Sequence, residues 1–407
     1  MARLVRGFYG FGMRYALALF AVAVAAAPSM ALPATQFERT PAETLTNDSA
    51  ERWVHFELTP ANHIRFAMKI AGRPATALLD TGVSHSMVST GFARDARLKI
   101  ERRGTAAALG GEVALGWTRV ARLSLGGLHV TERAMALLDL SQVQAGDGRP
   151  VDALIGADLL GPHALDIDFE HRRFRLLPTG AEPFAGTRAP LSRNADGLYV
   201  TEARLGRETL RAVMIDTGDG TSISVTRDQW RSARLPRRTL TSTISYGLAG
   251  PVEAGLTVTD ALRLGEATPA ESELRIEGQA FADRTGIPSR IGTGFLRRFR
   301  VLLDPAAGRL LLEPAGAAAE GPPRSTSGLL LSYDTRRLRV LHVMRGSPAA
   351  RSGWRKGEQI CQVDGAPVRE IANGAADLGW AADTPGRTVR LELCDGSQRT
   401  LTLARFY

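Results

Sequence analysis

The feature that most constrains this chain is an internal repeat with a spacing of 136 residues. The tripeptide Asp-Thr-Gly begins at Asp80 and again at Asp216, each time at the end of an apolar run. The same spacing separates LIGADLL (154–160) from RIGTGFL (290–296), and the closing segment DIDFEHRRFRLL from VLLDPAAGRLLL. Three landmarks in one register indicate a duplicated unit, so we expect a fold with two similar halves.

Each repeat has the pattern of β-structure. Short alternating or apolar runs are interrupted by turn residues, as in HIRFAMKIAGRPATALLDTG and GLYVTEARLGRETLRAVMIDTG. Only STGFARDARL and TRDQWRSARL, shortly after the two Asp-Thr-Gly sets, are typical of short helices. We therefore expect a mainly β protein with two pseudo-symmetric lobes, at residues 51–182 and 183–316, preceded by a lead-in segment at 32–50.

At these residues the chain resembles the retropepsin-like aspartic proteases of the pepsin and retropepsin clan. In that family each lobe contributes one Asp to a shared pair, and here one chain carries both sets. The resemblance implies that Asp80 and Asp216 are the catalytic residues and bind the attacking water. Two carboxylates held close together cannot both ionise, so one keeps a proton and the pair can act as base and acid. Burying an Asp behind a strand is otherwise costly.

The resemblance also assigns roles to the neighbours of the two Asp residues. Thr81 and Thr217 would interlock the two loops by hydrogen bonds. Gly82 and Gly218 would permit a tight turn and a close backbone approach that a Cβ would obstruct. Asp219 adds a third carboxylate directly after the second set. We expect it to face solvent as an ordinary loop residue, and the alternative is that it perturbs the Asp pair.

Glycine-containing hairpins in the middle of each lobe are the expected flaps over the substrate. The segments AALGGEVALG (107–116) and ISYGLAGPVEAG (244–255) have this pattern. An extended peptide would lie beneath them and form strand-like main-chain hydrogen bonds. The candidate flap residues are Gly110, Gly111, Tyr246 and Gly247, and for Tyr246 simple packing beside a turn is the alternative.

A linker of small residues and proline, assigned to 317–327, precedes a different pattern. Residues 328–407 resemble a PDZ domain of the type found in bacterial exported proteases, with Gly-Ser-Pro-Ala-Ala before a short helix, Gly-Glu-x-Ile and Val-Asp-Gly. PDZ domains bind an extended peptide as an added strand. By resemblance the peptide-binding residues are Gly328, Leu329, Leu330 and Leu331. A closed module that packs on the lobes is the alternative.

The chain has two cysteines, Cys361 and Cys394, both in this C-terminal part. In an oxidising compartment an even pair within one domain is compatible with a disulfide. Two small buried apolar side chains are equally compatible with the sequence. Both interpretations remain open at this stage.

The first 31 residues have the pattern of a signal peptide. A basic segment ends at Arg14, residues 15–27 are apolar, and small residues follow at 29–31. This apolar run is shorter than the roughly 20 residues of a membrane span. We therefore expect an exported, periplasmic protein. An uncleaved segment would instead give a membrane-anchored protein with an extracytoplasmic body, the one case in which a membrane would be a partner.

Other partners and cofactors are not supported by the sequence. The formal net charge is +9, but the arginines are scattered with acidic residues between them. There is no basic stripe with interleaved aromatic residues, so we expect no nucleic-acid partner. The seven histidines form no metal-binding pattern. We expect no metal and no cofactor.

The sequence therefore predicts an exported aspartic endopeptidase that cleaves a peptide or protein substrate. Its PDZ module would bind substrate or a partner peptide as ligand. The alternative is a catalytically silent peptide-binding adaptor that keeps the aspartic protease fold. Both Asp-Thr-Gly sets are intact, which favours the enzyme because a decayed enzyme would be expected to lose at least one of them.

Overall fold

The protein is described here by a computed structural model, and the fold is mainly β, as the sequence predicts. The signal peptide predicted at residues 1–31 lies outside the described residues. In the described part of the chain, no helix is long and apolar enough to cross a membrane. The structure describes residues 42–143, 149–236, 238–268, 271–316, 324–334, 336–368 and 379–407.

Residues 42–182, called the first half, consist mainly of antiparallel strands. The lead-in segment contributes the first strand, which pairs with the eighth. The strands are β1 (Ala42–Leu45), β2 (Val54–Leu58), β3 (Ile64–Ile70), β4 (Arg73–Leu79), β5 (Met87–Ser89), β6 (Arg102–Ala108), β7 (Gly111–Leu125), β8 (Leu128–Leu138), β9 (Ala153–Ile155), β10 (Ala164–Asp168) and β11 (Arg173–Leu177). The helices are α1 (Thr90–Asp95) and α2 (Ala157–Leu160), with short 3-10 helices at Ser49–Glu51 and Leu140–Gln142.

Residues 183–316, called the second half, repeat much of this order. The strands are β12 (Thr187–Pro190), β13 (Ser192–Arg193), β14 (Tyr199–Leu205), β15 (Glu208–Asp216), β16 (Ile223–Thr226), β17 (Thr241–Gly247), β18 (Gly250–Thr259), β19 (Leu262–Arg263), β20 (Ser272–Glu277), β21 (Ser289–Gly292), β22 (Phe299–Asp304) and β23 (Arg309–Pro314). The helices are α3 (Arg227–Ala233), α4 (Ala280–Thr285) and α5 (Thr293–Leu296).

Residues 324–407, called the C-terminal module, form a separate sheet with the strand order β24-β25-β26-β28-β29 and β27 paired with β26. The strands are β24 (Leu329–Asp334), β25 (Arg337–Val343), β26 (Gln359–Val363), β27 (Ala366–Pro367), β28 (Thr388–Leu393) and β29 (Gln398–Thr402). The module also contains α6 (Pro348–Arg351) and a 3-10 helix at Gly379–Ala382.

The two helices expected in the repeats are confirmed as α1 and α3. In α1 the Ser89 hydroxyl caps the helix by accepting from the Phe92 N–H at 3.0 Å, and α3 begins with a capping box between Thr226 and Gln229. The expectation that the repeats contain only these two helices is wrong, because α2, α4 and α5 are also present. Each of these has four to six residues, and the four residues of α2 and of α5 are too few to display a helical period.

The strands that end at the two Asp residues each pair in parallel with a strand from the following part of the same half. In the first half Leu78 of β4 faces Leu154 of β9, and in the second half Met214 of β15 faces Arg290 of β21. Strands that are covered on both faces tend to be continuously apolar. This explains why ALL and VMI precede the two Asp residues, and why the 136-residue spacing appears in the strand register.

The halves are joined through an antiparallel pair of equivalent strands, β10 and β22. Leu165 faces Leu303 and Ile167 faces Val301. Val301 and Leu303 are the counterparts of Leu165 and Ile167, 136 positions later in the chain. Each of these residues thus faces the counterpart of the other, which is the self-complementary pattern of a twofold axis. A sheet of 14 strands therefore contains strands of both halves.

The apolar core is divided between the repeats and the C-terminal module. A large cluster spans the two halves, including Leu79, Ile155, Ile215 and Ile291. The module has its own cluster, but Ile244 and Leu256 of the second half are part of it. The module is thereby packed against strands β17 and β18.

Candidate active site

The loops that follow β4 and β15 are locked together by two threonines. The Thr81 N–H donates to the Thr217 hydroxyl and the Thr217 N–H to the Thr81 hydroxyl, both at 3.0 Å. Each hydroxyl in turn donates to the other half's strand, Thr81 to the Ile215 carbonyl at 2.7 Å and Thr217 to the Leu79 carbonyl at 2.9 Å. Both threonines are fully buried. The two loops therefore have little freedom to move apart.

This interlock places the carboxyl groups of Asp80 and Asp216 side by side. The Gly82 N–H donates to Asp80 Oδ1 at 3.0 Å, and the Gly218 N–H donates to Asp216 Oδ1 at 2.9 Å. A Cβ added to Gly82 would lie 2.3 Å from Asp216 Oδ1, and one added to Gly218 would lie 2.3 Å from the Asp80 carboxyl carbon. Each carboxyl thus occupies the space beside the glycine of the opposite loop.

Both carboxyls are removed from solvent, with exposed fractions of 1% for Asp80 and 0% for Asp216. Burial raises the pKa of Asp80 to about 7, although the Gly82 N–H and the contact with Asp216 lower it. Burial also raises the pKa of Asp216 well above its ordinary value, and the charges of Asp80 and Asp219 raise it further. A pair of this kind retains one shared proton near neutral pH and titrates as a unit.

One carboxyl oxygen of the pair, Asp216 Oδ2, is buried and has no hydrogen-bond donor among the described residues outside the pair. Buried carboxyl oxygens are normally hydrogen-bonded. Asp80 and Asp216 share a side-chain hydrogen bond, so a proton held between the two carboxyls accounts for this oxygen.

The third carboxylate, Asp219, does not face solvent, and the expectation that it does is wrong. Its exposed fraction is 2%, and it accepts from Arg290 Nε at 3.4 Å. Arg290 also donates two hydrogen bonds to Glu277 at 2.8 and 2.9 Å. A buried carboxylate needs such partners. Sequence reasoning missed Arg290, whose only signal was an arginine at the position occupied by Leu154 in the first repeat.

The tips of the two predicted flap hairpins are in contact with each other. The first is β6–β7, turning at 109–110, and the second is β17–β18, turning at 248–249. They approach so closely that a Cβ on Gly247 would lie 2.0 Å from the Leu109 carbonyl oxygen, and one on Gly110 would lie 3.1 Å from that of Gly250. Gly111 begins β7 beside this contact.

Each hairpin tip is also anchored in the opposite half. Leu109 of the first hairpin is buried in a cluster with Met214 and Phe281 of the second half. Leu248 of the second hairpin packs against an apolar cluster of the first half. Tyr246 packs against both this cluster and that of the C-terminal module. Each hairpin is therefore held by both halves of the protein.

The four residues predicted to bind a peptide in the C-terminal module lie apart from the Asp pair, at the start of edge strand β24. Leu329, Leu330 and Leu331 are buried in the module's own cluster. Hydroxyls of the preceding segment accept from two main-chain N–H groups, Ser325 from Gly328 at 2.9 Å and Ser327 from Leu329 at 3.2 Å. A bound carboxylate would have to displace these hydroxyls. In the same module a disulfide joins Cys361 to Cys394.

The C-terminal module is hydrogen-bonded to the second hairpin. The Ser242 hydroxyl of β17 lies 2.8 Å from His342 Nε2 and accepts from the Arg345 N–H at 3.1 Å. The Thr241 hydroxyl donates to the Arg345 carbonyl at 2.7 Å. The strand that carries Tyr246 is therefore hydrogen-bonded to the module and, through Tyr246, packed against the first half.

Comparison with known proteins agrees with this geometry in the first half. Residues 66–159 match the family described as aspartyl protease, a range that contains Asp80, the first hairpin and β9. A search of curated proteins found no match. Among solved structures, the chain is similar to basic 7S globulin from soybean, with 12% identity and a TM-score of 0.38, covering 65% of this chain and 96% of that one.

Proposed function

We propose that the protein is an aspartic endopeptidase in which Asp80 and Asp216 activate water to hydrolyse a peptide bond. The observation that carries the proposal is the reciprocal bonding of Thr81 and Thr217, which brings two buried carboxyls together. The match of residues 66–159 to aspartyl proteases supports the same reaction for the first half.

The chemistry follows from a pair that shares one proton. The ionised carboxyl accepts a proton from a bound water as its oxygen attacks the peptide carbonyl carbon. The protonated carboxyl gives its proton to the carbonyl oxygen, so a neutral tetrahedral intermediate forms with no net change in charge. The C–N bond then breaks as the leaving nitrogen takes the proton of one carboxyl, while the other carboxyl accepts a proton from a hydroxyl of the intermediate. The products are an amine and a carboxylic acid, and the pair again holds one proton.

We expect substrate entry to require separation of the two hairpins, because their tips are in contact at Leu109 and Gly247 and the two carboxyls are at most 1% exposed. An extended peptide between the hairpins and the Asp pair would form main-chain hydrogen bonds with them. The C-terminal module holds strand β17 through Ser242 and Thr241. We propose that this PDZ-like module, by binding a substrate or partner peptide, changes how readily the second hairpin opens.

We further propose that the protein works outside the cytoplasm. The basic and apolar pattern of residues 1–31 supports export. The disulfide between Cys361 and Cys394 is compatible with an oxidising compartment. Sequencing of the N-terminus of the exported protein would test this, and recovery of residues 15–27 would favour the membrane-anchored alternative.

The catalytic proposal is tested with Asp80→Asn, Asp216→Asn and the double variant. Each single change should abolish cleavage of a peptide library from acidic to neutral pH, because an amide cannot exchange the shared proton. The double variant should lose hardly more than either single one, since the two residues act as a unit. Asp228→Asn is the matched control, as its side chain is exposed on α3. Thermal unfolding shows whether each variant is folded.

Two outcomes would contradict the proposal. Single variants that cleave as fast as the unchanged protein would show that these carboxyls are not the catalysts. If the unchanged protein cleaves no peptide at any pH but binds peptides, the silent adaptor becomes the better description.

A further inference from the structure

We propose that the buried ion pair of Asp219 and Arg290 makes the two catalytic carboxyls unequal and places their shared proton on Asp216. Asp80 is then the base that accepts the proton of the attacking water. This inference rests on the proposed function, because it assigns roles within the same pair. Asp219 and Arg290 act through Asp216 and are positioning residues.

The loops that carry the two Asp residues have an equivalent main-chain hydrogen bond but different side chains. The Val83 N–H donates to the Asp80 carbonyl at 3.3 Å, and the Asp219 N–H donates to the Asp216 carbonyl at 3.2 Å. Val83 and Asp219 are counterparts, as are Leu154 and Arg290. Behind Asp80 these positions hold two apolar side chains of one buried cluster. Behind Asp216 they hold an ion pair.

Asp219 is fixed in place by further bonds. The Thr221 N–H and hydroxyl donate to its Oδ1 at 2.9 and 2.6 Å, and Arg290 Nε bonds to its Oδ2 at 3.4 Å. Arg290 is held in turn by Glu277, and its guanidinium lies 5.1 Å from the centre of the Phe281 ring. The side chains of Asp219 and Arg290 are each 3% exposed. The charges are therefore fixed and poorly screened.

The balance of these charges is negative. Arg290 bonds to two carboxylates, those of Asp219 and Glu277. Together these three side chains carry one net negative charge. Glu273 and Arg275 bond to each other at 3.1 Å and cancel. A negative charge beside Asp216 disfavours its ionised form more than that of Asp80, whose own loop carries Val83 at this position.

The pKa directions of the two carboxyls agree with this inequality. Burial raises the pKa of Asp216 most, followed by the charge of Asp80 and then that of Asp219. The charge of Arg290 lowers this pKa, but by less than Asp219 raises it. For Asp80 the charge of Asp219 is the smallest of the named causes. These directions agree with the position that the buried ion pair beside Asp216 indicates for the shared proton.

The network also reaches the second hairpin. The Ser245 hydroxyl of β17 donates to Glu277 Oε1 at 3.4 Å and accepts from Arg275 Nη1 at 3.1 Å. The charges that set the proton position are thus held partly by the strand that carries the flap. The first half has no such ion pair at the counterpart positions, Val83 and Leu154.

The test is a side-chain carboxyl NMR titration of the full chain, with Asp80→Asn and Asp216→Asn used to assign the two signals. In the unchanged protein the carboxyl that keeps its proton to higher pH should be that of Asp216. In Asp219→Asn the last proton should leave the pair at lower pH, by about one unit. Asp228→Asn removes the same charge from the exposed face of α3 and should leave the titration unchanged.

A second variant tests the inference in case Asp219→Asn does not fold. Asp219→Val with Arg290→Leu and Glu277→Gln gives the second half the apolar pair of the first and leaves no unpaired charge. In this variant the proton should divide between Asp80 and Asp216. The alkaline limb of the kcat/KM profile should also move to lower pH in Asp219→Asn, because the pair loses its proton earlier.

The outcomes separate this inference from the proposed function, since the titration needs no substrate. A proton that resides on Asp80 in the unchanged protein overturns the inference, even if Asp219→Asn does not fold. An unchanged titration in Asp219→Asn also overturns it. A protein that titrates as expected but cleaves no peptide overturns only the proposed function.

Discussion

Gly218 lies so close to Asp80 that a Cβ at residue 218 would fall 2.3 Å from the carboxyl carbon of Asp80. Gly82 has the same relation to Asp216. The third residue of each Asp-Thr-Gly set therefore leaves room for the carboxyl of the other set. Each Asp-Thr-Gly set thus supplies one carboxyl and one glycine to the same contact between the two loops.

Replacing Gly218 by Ala should separate the two carboxyls. The added methyl group cannot fit beside Asp80, and overpacking of this kind costs about 1–3 kcal/mol. We expect lower stability in denaturant unfolding together with loss of peptide cleavage. Gly278→Ala is the matched control, because a Cβ there meets no atom within 4 Å. Equal activity of the two variants would contradict the close approach.

The threonine interlock predicts coupling between residues 136 positions apart. Thr81→Val leaves the Thr217 N–H and the Ile215 carbonyl without their partner, at a cost of about 1–3 kcal/mol. Thr217→Val should behave alike, and a double-mutant cycle should give a coupling of about 0.5–3 kcal/mol. Thr81→Ser and Thr217→Ser keep the hydroxyls and serve as controls. Additive costs would show that the two bonds are independent.

The raised pKa of Asp80 predicts a specific dependence of stability on pH. Its pKa is about 7 in the folded protein against an ordinary value of 3.8, so the folded state binds the proton more tightly. The stabilising contribution is complete below about pH 4 and is lost as the pH rises through about 7. Asp80→Asn should make this loss of unfolding free energy smaller, leaving the part that comes from Asp216, whose pKa burial also raises; Asp228→Asn should keep the loss in full. Parallel pH curves for all three proteins would contradict the prediction.

The contact between the C-terminal module and the second hairpin predicts joint protection of the two. Ser242→Ala removes the bonds to His342 and to the Arg345 N–H, so both sides of the contact lose support. Hydrogen exchange at one fixed pH should become faster in β17 and in β25. Ser397→Ala, at an exposed turn of the module, is the control. Faster exchange in β25 alone would show that the module does not restrain the hairpin.

The sequence predicted the centre of the site because each important position occurs twice. Asp80, Thr81 and Gly82 and their counterparts stand at the same spacing as LIG and RIG. A repeated spacing carries into strand register, because equivalent residues in equivalent strands have equivalent neighbours. The mainly β fold, the two hairpins and the helices α1 and α3 follow from the same local patterns.

The sequence failed where one half departs from the other. Asp219 was expected to face solvent, but it is buried and paired with Arg290, which lies 71 residues further along the chain. The short helices α2, α4 and α5 were missed. The four residues of α2 and of α5 form a single turn, in which apolar residues cannot recur with a helical spacing. The crossing of Leu109 into the second half was not visible either, since an apolar residue at a hairpin tip carries no sign of the cluster that receives it.

By itself, then, the sequence determined the duplication, the β-rich class and the two Asp-Thr-Gly sets. Only the tertiary structure decided that the tips of the two hairpins meet, that Asp219 pairs with Arg290, and that Ser242 and His342 join the module to the second hairpin. The physical reason is the range of the interactions. Turn chemistry and strand alternation act over a few residues, whereas packing and ion pairing select partners by proximity in the folded chain, irrespective of their separation along it.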